Sequence, residues 1–143
     1  MANLRFSASQ GKLTVTDSRG TYTVNATSGR GNCLNNPACQ PRENVGPLPS
    51  GQYFIFRREI NNPNALGDLA RNIFTGDWGD WRAPIRTSSW SAPYGRKGFF
   101  LHGGTSPGSA GCIDIGGGVF GNSTTDRVLK SIKEVEVSTL WVD

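Results

Sequence analysis

Apolar and polar residues alternate in three short stretches near the start of the chain, LRFSA, KLTVTD and TYTVNA (residues 4–8, 12–17 and 21–26). A period of two is that of half-buried strands, and DSRG between the second and third stretches reads as a hairpin turn, so the chain opens as a β-meander. A loop of glycine, asparagine and proline follows, TSGRGNCLNNPACQPRENVGPLPSG, too long for a bland connection in a small domain. QYFIFRREI then reads as a strand, apolar from Tyr53 through Phe56. In NNPNALGDLARNIFTG, Leu66, Leu69, Ala70 and Ile73 recur at helical spacing, with Pro63 before them and Gly76 after, which predicts a short amphipathic helix. Further strands are expected at IRTSSW, GFFLH and GCIDI. A second helix is expected at STTDRVLKSIKE, with Ser123 or Thr124 as N-cap and Val128, Leu129 and Ile132 on one face. VEVSTLWV closes the pattern as a strand.

The pattern is mainly β with two short helices, and 143 residues suit a single domain spanning 1–143. With 36% apolar and 18% charged residues the chain is globular, and 19 glycines and 8 prolines agree with many turns. No apolar run reaches the ~18 residues of a membrane span. MANLRFSASQGKLTV lacks the apolar core of a secretory signal peptide. That leaves a cytosolic protein, one exported by a route that reads no such signal, or one whose leader has been removed. The net charge of +4 suits an acidic partner, yet the densest basic clusters are only Arg57-Arg58 and Arg96-Lys97. Without a nucleic-acid motif beside them they read as solvated surface.

Chemistry concentrates in FFLHGGTSPGSAGCIDIGGG, which holds the only histidine, His102, and one of three cysteines, Cys112. A cysteine attacks as its thiolate and is usually activated by a neighbouring base. His102 ends an apolar strand and Cys112 begins the next, so a hairpin-like return would join them. Gly111 permits close backbone approach, and the Gly111 and Cys112 amides are candidates for an oxyanion hole. Ser109 is placed to orient the imidazole or bind substrate. The bland alternative is a buried, inert cysteine in a glycine-rich turn.

Other chemistries fit less well. GTSPG at 104–108 formally matches a serine nucleophile elbow, but Pro107 lacks the N–H that such an elbow uses and the histidine precedes the serine. A Cys3His zinc site from Cys33, Cys39, His102 and Cys112 has unusual spacing, so no metal or other cofactor is expected. Cys33 and Cys39 can instead close a small disulfide loop in an oxidising compartment, leaving Cys112 as the odd thiol, or stay free in a reducing one.

GPLPSGQY at 46–53, the histidine ending a strand and SAGCIDI together resemble the YkuD-type L,D-transpeptidases, which carry a P-x-G-x-[YF] segment, a histidine and an S-H-G-C motif. The SG…NNP loop, GPxPxG segment and HGG…GSAGC block are similar to those of a shortened branch, the type VI secretion L,D-transpeptidase effectors. The resemblance implies a β-rich fold and a cysteine acyl-enzyme acting on peptidoglycan stem peptides. Cys112 would attack the carbonyl of the third residue, a meso-diaminopimelate, and expel the terminal D-alanine of a tetrapeptide. Water would give carboxypeptidase activity and a D-amino acid would give exchange. His102 would be the base, with the Gly103 carbonyl orienting its ring. Where the family has S-H-G-C, this chain has Ala110, and the arginine two residues after the cysteine is replaced by Asp114, so the acceptor side differs. An effector of this branch acts in a competitor's periplasm and pairs with an immunity protein and with a tube or spike component of the secretion machine. The rival class is a non-catalytic wall- or glycan-binding domain, with Trp78, Trp81, Trp90, Trp141 and Tyr94 as stacking surfaces. DWGDWR reads equally as a lid or as a solvated loop.

Overall fold

The computed structural model of the chain describes residues 2–60, 81–87, 93–96, 98–104, 111–117 and 121–143. Its opening meander is β1 (Asn3–Ser7), β2 (Lys12–Asp17) and β3 (Gly20–Asn25), paired antiparallel with Leu4 opposite Val15 and Leu13 opposite Val24. Leu4, Phe6, Leu13 and Val15 are buried while Asn3, Arg5 and Lys12 face out, which is the alternation of the sequence turned into two faces.

After the long loop come β4 (Gly51–Phe56), β5 (Arg82–Thr87), β6 (Phe99–Gly104) and β7 (Ile113–Gly117), then the helix α1 (Ser123–Lys133) and β8 (Val137–Val142). They form one eight-stranded sheet in the order β3-β2-β1-β8-β4-β5-β6-β7. Beyond β3, Thr27 forms a bridge with Asp114 of β7 through two backbone hydrogen bonds of 2.8 and 2.9 Å, so the two edges of the sheet meet and the sheet curls into a barrel. Tyr53, Ile55, Ala83, Leu101, Ile113 and Leu140 fill its interior.

The helix docks by its apolar stripe, Val128, Leu129 and Ile132, as its spacing predicts. A polar latch on the meander fixes its rotation. Ser131 donates to the Asp17 carboxylate at 2.6 Å, and the Tyr22 hydroxyl lies 2.7 Å from Ser131 Oγ. The N-cap is Asn122, one residue earlier than expected. Asn122 Oδ1 accepts from the Thr125 amide at 3.0 Å and Thr125 Oγ1 accepts from the Asn122 amide at 2.8 Å, and this reciprocal box outcompetes a lone hydroxyl at Ser123.

Two more expectations change. The helix expected in NNPNALGDLARNIFTG lies outside the described residues, and α1 is the one α-helix among the described residues, accompanied by 3-10 turns. β5 begins at Arg82, earlier than the apolar run suggested, because it runs through Pro84. The β4 ladder meets β5 at Thr87 and Arg86, so the missing proline N–H falls beyond it. Finally, β6 and β7 are parallel, with Leu101 beside Ile113 and His102 beside Asp114, rather than a hairpin.

Candidate active site

β6 and β7 send Leu101 and Ile113 into the barrel and therefore send His102 and Asp114, their neighbours in sequence and partners in register, to the opposite face. Cys112, two residues before Asp114, stands at the entrance to β7. His102, Cys112 and Asp114 are all buried, at 2%, 3% and 4% exposure. The His102 Nδ1 lies 2.5 Å from the Gly103 carbonyl oxygen. With Nδ1–H donating to that oxygen, the neutral ring carries its lone pair on Nε2, the tautomer that can take a proton from a thiol.

Burial is the largest single influence on the His102 pKa and pulls it down. A hydrogen bond with Cys112 and the charge of Cys112 oppose it, joined by the Gly103 carbonyl and the Asp114 carboxylate, and the balance lies above the ordinary histidine value. The protonated ring is thus favoured by its surroundings. The thiol and imidazole that ten residues separate in sequence meet through a parallel pair and not through a turn.

The turn that carries Cys112 rests on the long loop. Cys33 and Cys39 are joined by a disulfide, with Cα atoms 5.5 Å apart. That leaves Cys112 as the free cysteine and uses two of the four ligands that a Cys3His zinc site would require. Gln40 follows the bridge and grips Ser50 twice, through Nε2 to Oγ at 2.9 Å and Oε1 from the amide at 3.0 Å. Ser28 Oγ accepts from the Leu48 amide at 2.8 Å, and the Tyr53 hydroxyl donates to the Pro49 carbonyl at 2.7 Å. Burial pushes the Tyr53 pKa up, in keeping with a hydroxyl that remains a donor. The GPLPSGQY segment is therefore a braced wall beside the Gly111–Cys112 turn.

The Gly111 amide donates to the Gly46 carbonyl at 3.0 Å. Of the two amides expected to form an oxyanion hole, this one is committed to the wall, and the expectation for Gly111 is corrected accordingly. Gly111 is required for another reason. Its φ is +70°, and a Cβ there would lie 2.7 Å from the Phe99 ring. Asp114 accepts from the Gly116 amide at 2.8 Å and is held inside the face.

Ser109 lies outside the described residues. Tyr94 is 61% exposed with φ of +56°, and none of the contacts described for the His102–Cys112 pair involves it. Of the aromatic residues weighed as a glycan surface, Trp81 is a core residue, 1% exposed, its indole N–H donating to the Thr125 carbonyl at 3.2 Å. Trp141 is 45% exposed, and Trp78 and Trp90 lie outside the described residues, as does most of DWGDWR.

The sequence reading missed Arg96. Placed on the solvated surface by its neighbour Lys97, it is 3% exposed and donates to the carbonyls of Gln40 and Pro47 at 2.7 Å and of Gly46 at 2.9 Å. The available signal was its position between Gly95 and Gly98, just before an aromatic strand, where a long side chain can fold back under the sheet.

Residues 22–139 match the Tlde1 domain. The chain belongs to the Tlde1-domain family, the type VI secretion L,D-transpeptidase effectors. The Tlde1 fold seen here is similar to two solved structures. One is Bdellovibrio bacteriovorus Bd1075 (TM-score 0.62, 16% identity), of which 99% of this chain covers 47%. The other is Mycobacterium tuberculosis L,D-transpeptidase 1 (TM-score 0.51, 16% identity), of which 99% of this chain covers 60%. The Tlde1 chain thus spans roughly half the length of either neighbour, and at this identity the likeness is one of fold. A search of curated protein sequences gave no match. No described helix of this Tlde1 chain is long and apolar enough to cross a membrane.

In an oxidised sample treated with an alkylating agent but no reductant, intact-mass analysis should show one modified cysteine, Cys112, after unfolding. Three modified cysteines would contradict the Cys33–Cys39 bridge.

Proposed function

We propose that this Tlde1-domain protein is a cysteine-dependent enzyme that removes the terminal D-alanine from peptidoglycan tetrapeptide stems and exchanges it for other D-amino acids, acting as an antibacterial effector in the target periplasm. The observation that carries this reading is the buried His102–Cys112 pair, with the Gly103 carbonyl fixing the imidazole tautomer, on a fold shared with an L,D-transpeptidase. Cys112 gives its proton to His102 and attacks the carbonyl carbon of the third residue. The Cys112 amide faces the oxyanion. As the tetrahedral intermediate collapses, the C–N bond to D-alanine breaks, the imidazolium protonates the departing amine, and a thioester remains on Cys112. Water or the amine of a D-amino acid then attacks the thioester, His102 takes the proton from it, and the thiol is restored. Asp114 stands where relatives with an S-H-G-C motif place an arginine, so the acceptor side differs from theirs, and three-to-three crosslinking is not part of this reading. An immunity protein and a tube or spike component of the secretion machine are the partners this reading implies.

Purified protein incubated with muropeptides should convert tetrapeptides to tripeptides and spare pentapeptides, as read by mass spectrometry. Excess D-methionine should divert product into exchanged tetrapeptide while the tripeptide yield falls, because amine and water compete for one thioester. Cleavage of the glycan strand or of the lactyl–L-alanine bond would refute the assignment. Wall binding without turnover would favour the glycan-binding alternative.

A further inference from the structure

Arg96 is the buried charge that the proposed reaction does not use. A guanidinium is always protonated and is rarely buried unless it is paired. Here the acceptors described for it are three main-chain carbonyls, Gln40, Gly46 and Pro47, all neutral. The group also stands 5.7 Å over the Phe99 ring. One of its acceptors, the Gly46 oxygen, also receives the Gly111 amide, so the guanidinium and the residue before the nucleophile share a single oxygen. A Cβ on Gly111 would come within 3.2 Å of Arg96 Nη2, which puts the charge directly against the turn that carries Cys112.

We propose that Arg96 is a positioning residue for the nucleophile: it clamps the Gly46–Pro47 wall to the Gly111–Cys112 turn and keeps a fixed positive charge behind the Cys112 sulfur. Three-point recognition of carbonyls suits a planar fork of donors and does not suit a lysine ammonium. Burial, which weakens the hold of Arg96 on its proton, is opposed by electrostatic attraction to the Glu43 carboxylate and to the Cys112 sulfur when it is ionised, and attraction of this kind is mutual. The clamp also explains the wall. Gln40, next to the disulfide, and Gly46 and Pro47, which open the GPLPSG segment, turn their carbonyls onto one side chain, so the loop's covalent staple and its Gly-Pro segment meet at Arg96.

The inference rests on Cys112 being the nucleophile, and its test has an arm that needs no peptidoglycan. In Arg96→Met, iodoacetamide should alkylate Cys112 about tenfold more slowly at neutral pH. Turnover of tetrapeptide muropeptides should fall at least about tenfold in kcat with KM within about threefold. Arg96→Lys should restore the alkylation rate, because the charge returns, and leave kcat low, because the fork does not. Circular dichroism and intact mass establish that each variant is folded with its disulfide closed. A folded Arg96→Met that alkylates at the wild-type rate would overturn the charge role, and wild-type kcat in Arg96→Lys would overturn the clamp. Should Arg96→Met not fold, Arg96→Lys decides: low kcat beside an unchanged alkylation rate supports the proposal, and any other result rejects it. If wild-type protein turns over no muropeptide, the substrate assignment fails while the alkylation arm still decides whether Arg96 acts on the thiol.

Discussion

Replacing Cys112 with alanine is expected to abolish tetrapeptide turnover, a fall of at least about 10⁴-fold, because no other group described at the site can form the acyl-enzyme. His102→Ala should cost on the order of 10²–10⁴-fold, the usual worth of a general base. The measurement is tripeptide release by mass spectrometry, with circular dichroism to show that the barrel persists. Removing the small buried thiol destabilises by about 1 kcal/mol, too little to unfold a domain of this size. Turnover within tenfold of wild type in either variant would end the cysteine mechanism. The histidine variant has a second readout. The His102 pKa is raised in the folded state, so its pairing stabilises the protein fully below the unfolded value near 6.5, and the contribution disappears as pH rises through the folded value. Wild-type stability should therefore contain a component lost with rising pH that His102→Ala lacks, read by urea unfolding across that range.

Gly46→Ala should do almost as much damage from outside the catalytic pair. A Cβ at Gly46 would run into the Cys39 carbonyl oxygen, well inside contact distance, and would lie 2.7 Å from that of Arg42. Neither can retreat easily. The Cys39 oxygen accepts from the Arg42 amide at 2.8 Å, the Arg42 oxygen accepts from the Gly46 amide at 2.9 Å, and the disulfide to Cys33 pins Cys39 itself. The wall must shift, and with it the carbonyl that Arg96 and Gly111 share. The expected cost is about 3 kcal/mol, or roughly 10 °C in melting temperature, together with a drop in kcat larger than the loss of folded protein explains. Calorimetry and kinetics on the same sample check both. An unchanged melting temperature would mean that the turn is slack.

What was legible in the chain follows from what a side-chain pattern encodes. Alternation in KLTVTD and the apolar run of QYFIF report burial, and burial places β2 and β4 with little room for error. The helical face of Val128, Leu129 and Ile132 is equally local information. His102 and Cys112 stood out because a single histidine and an odd cysteine leave few combinations. The direction of β7 was hidden, since a period of two is the same for parallel and antiparallel neighbours and only the path of 105–112 distinguishes them. Arg96 was hidden for a related reason. Its partners are main-chain oxygens some fifty residues earlier, which carry no signature in the letters. The Gly111 amide was misassigned because the same glycine that permits a substrate to approach also permits the wall to do so.

The position of β8 has a consequence for how the protein comes into being. It lies between β1, which it pairs in parallel, and β4, which it pairs antiparallel, so residues 137–142 join the meander of β1–β3 to the ribbon of β4–β7 on one side while the Thr27–Asp114 bridge joins them on the other. While those residues are still inside the ribosome, the meander has an unpaired edge at β1, the ribbon has one at β4, and the barrel cannot close. Leu4 must find Leu140 across nearly the whole chain, a separation that places folding in the slow, millisecond-to-second class. The face that carries His102 and Cys112 therefore depends on β8, and a chain in which residues 137–142 have not yet docked presents unpaired strand edges that invite aggregation.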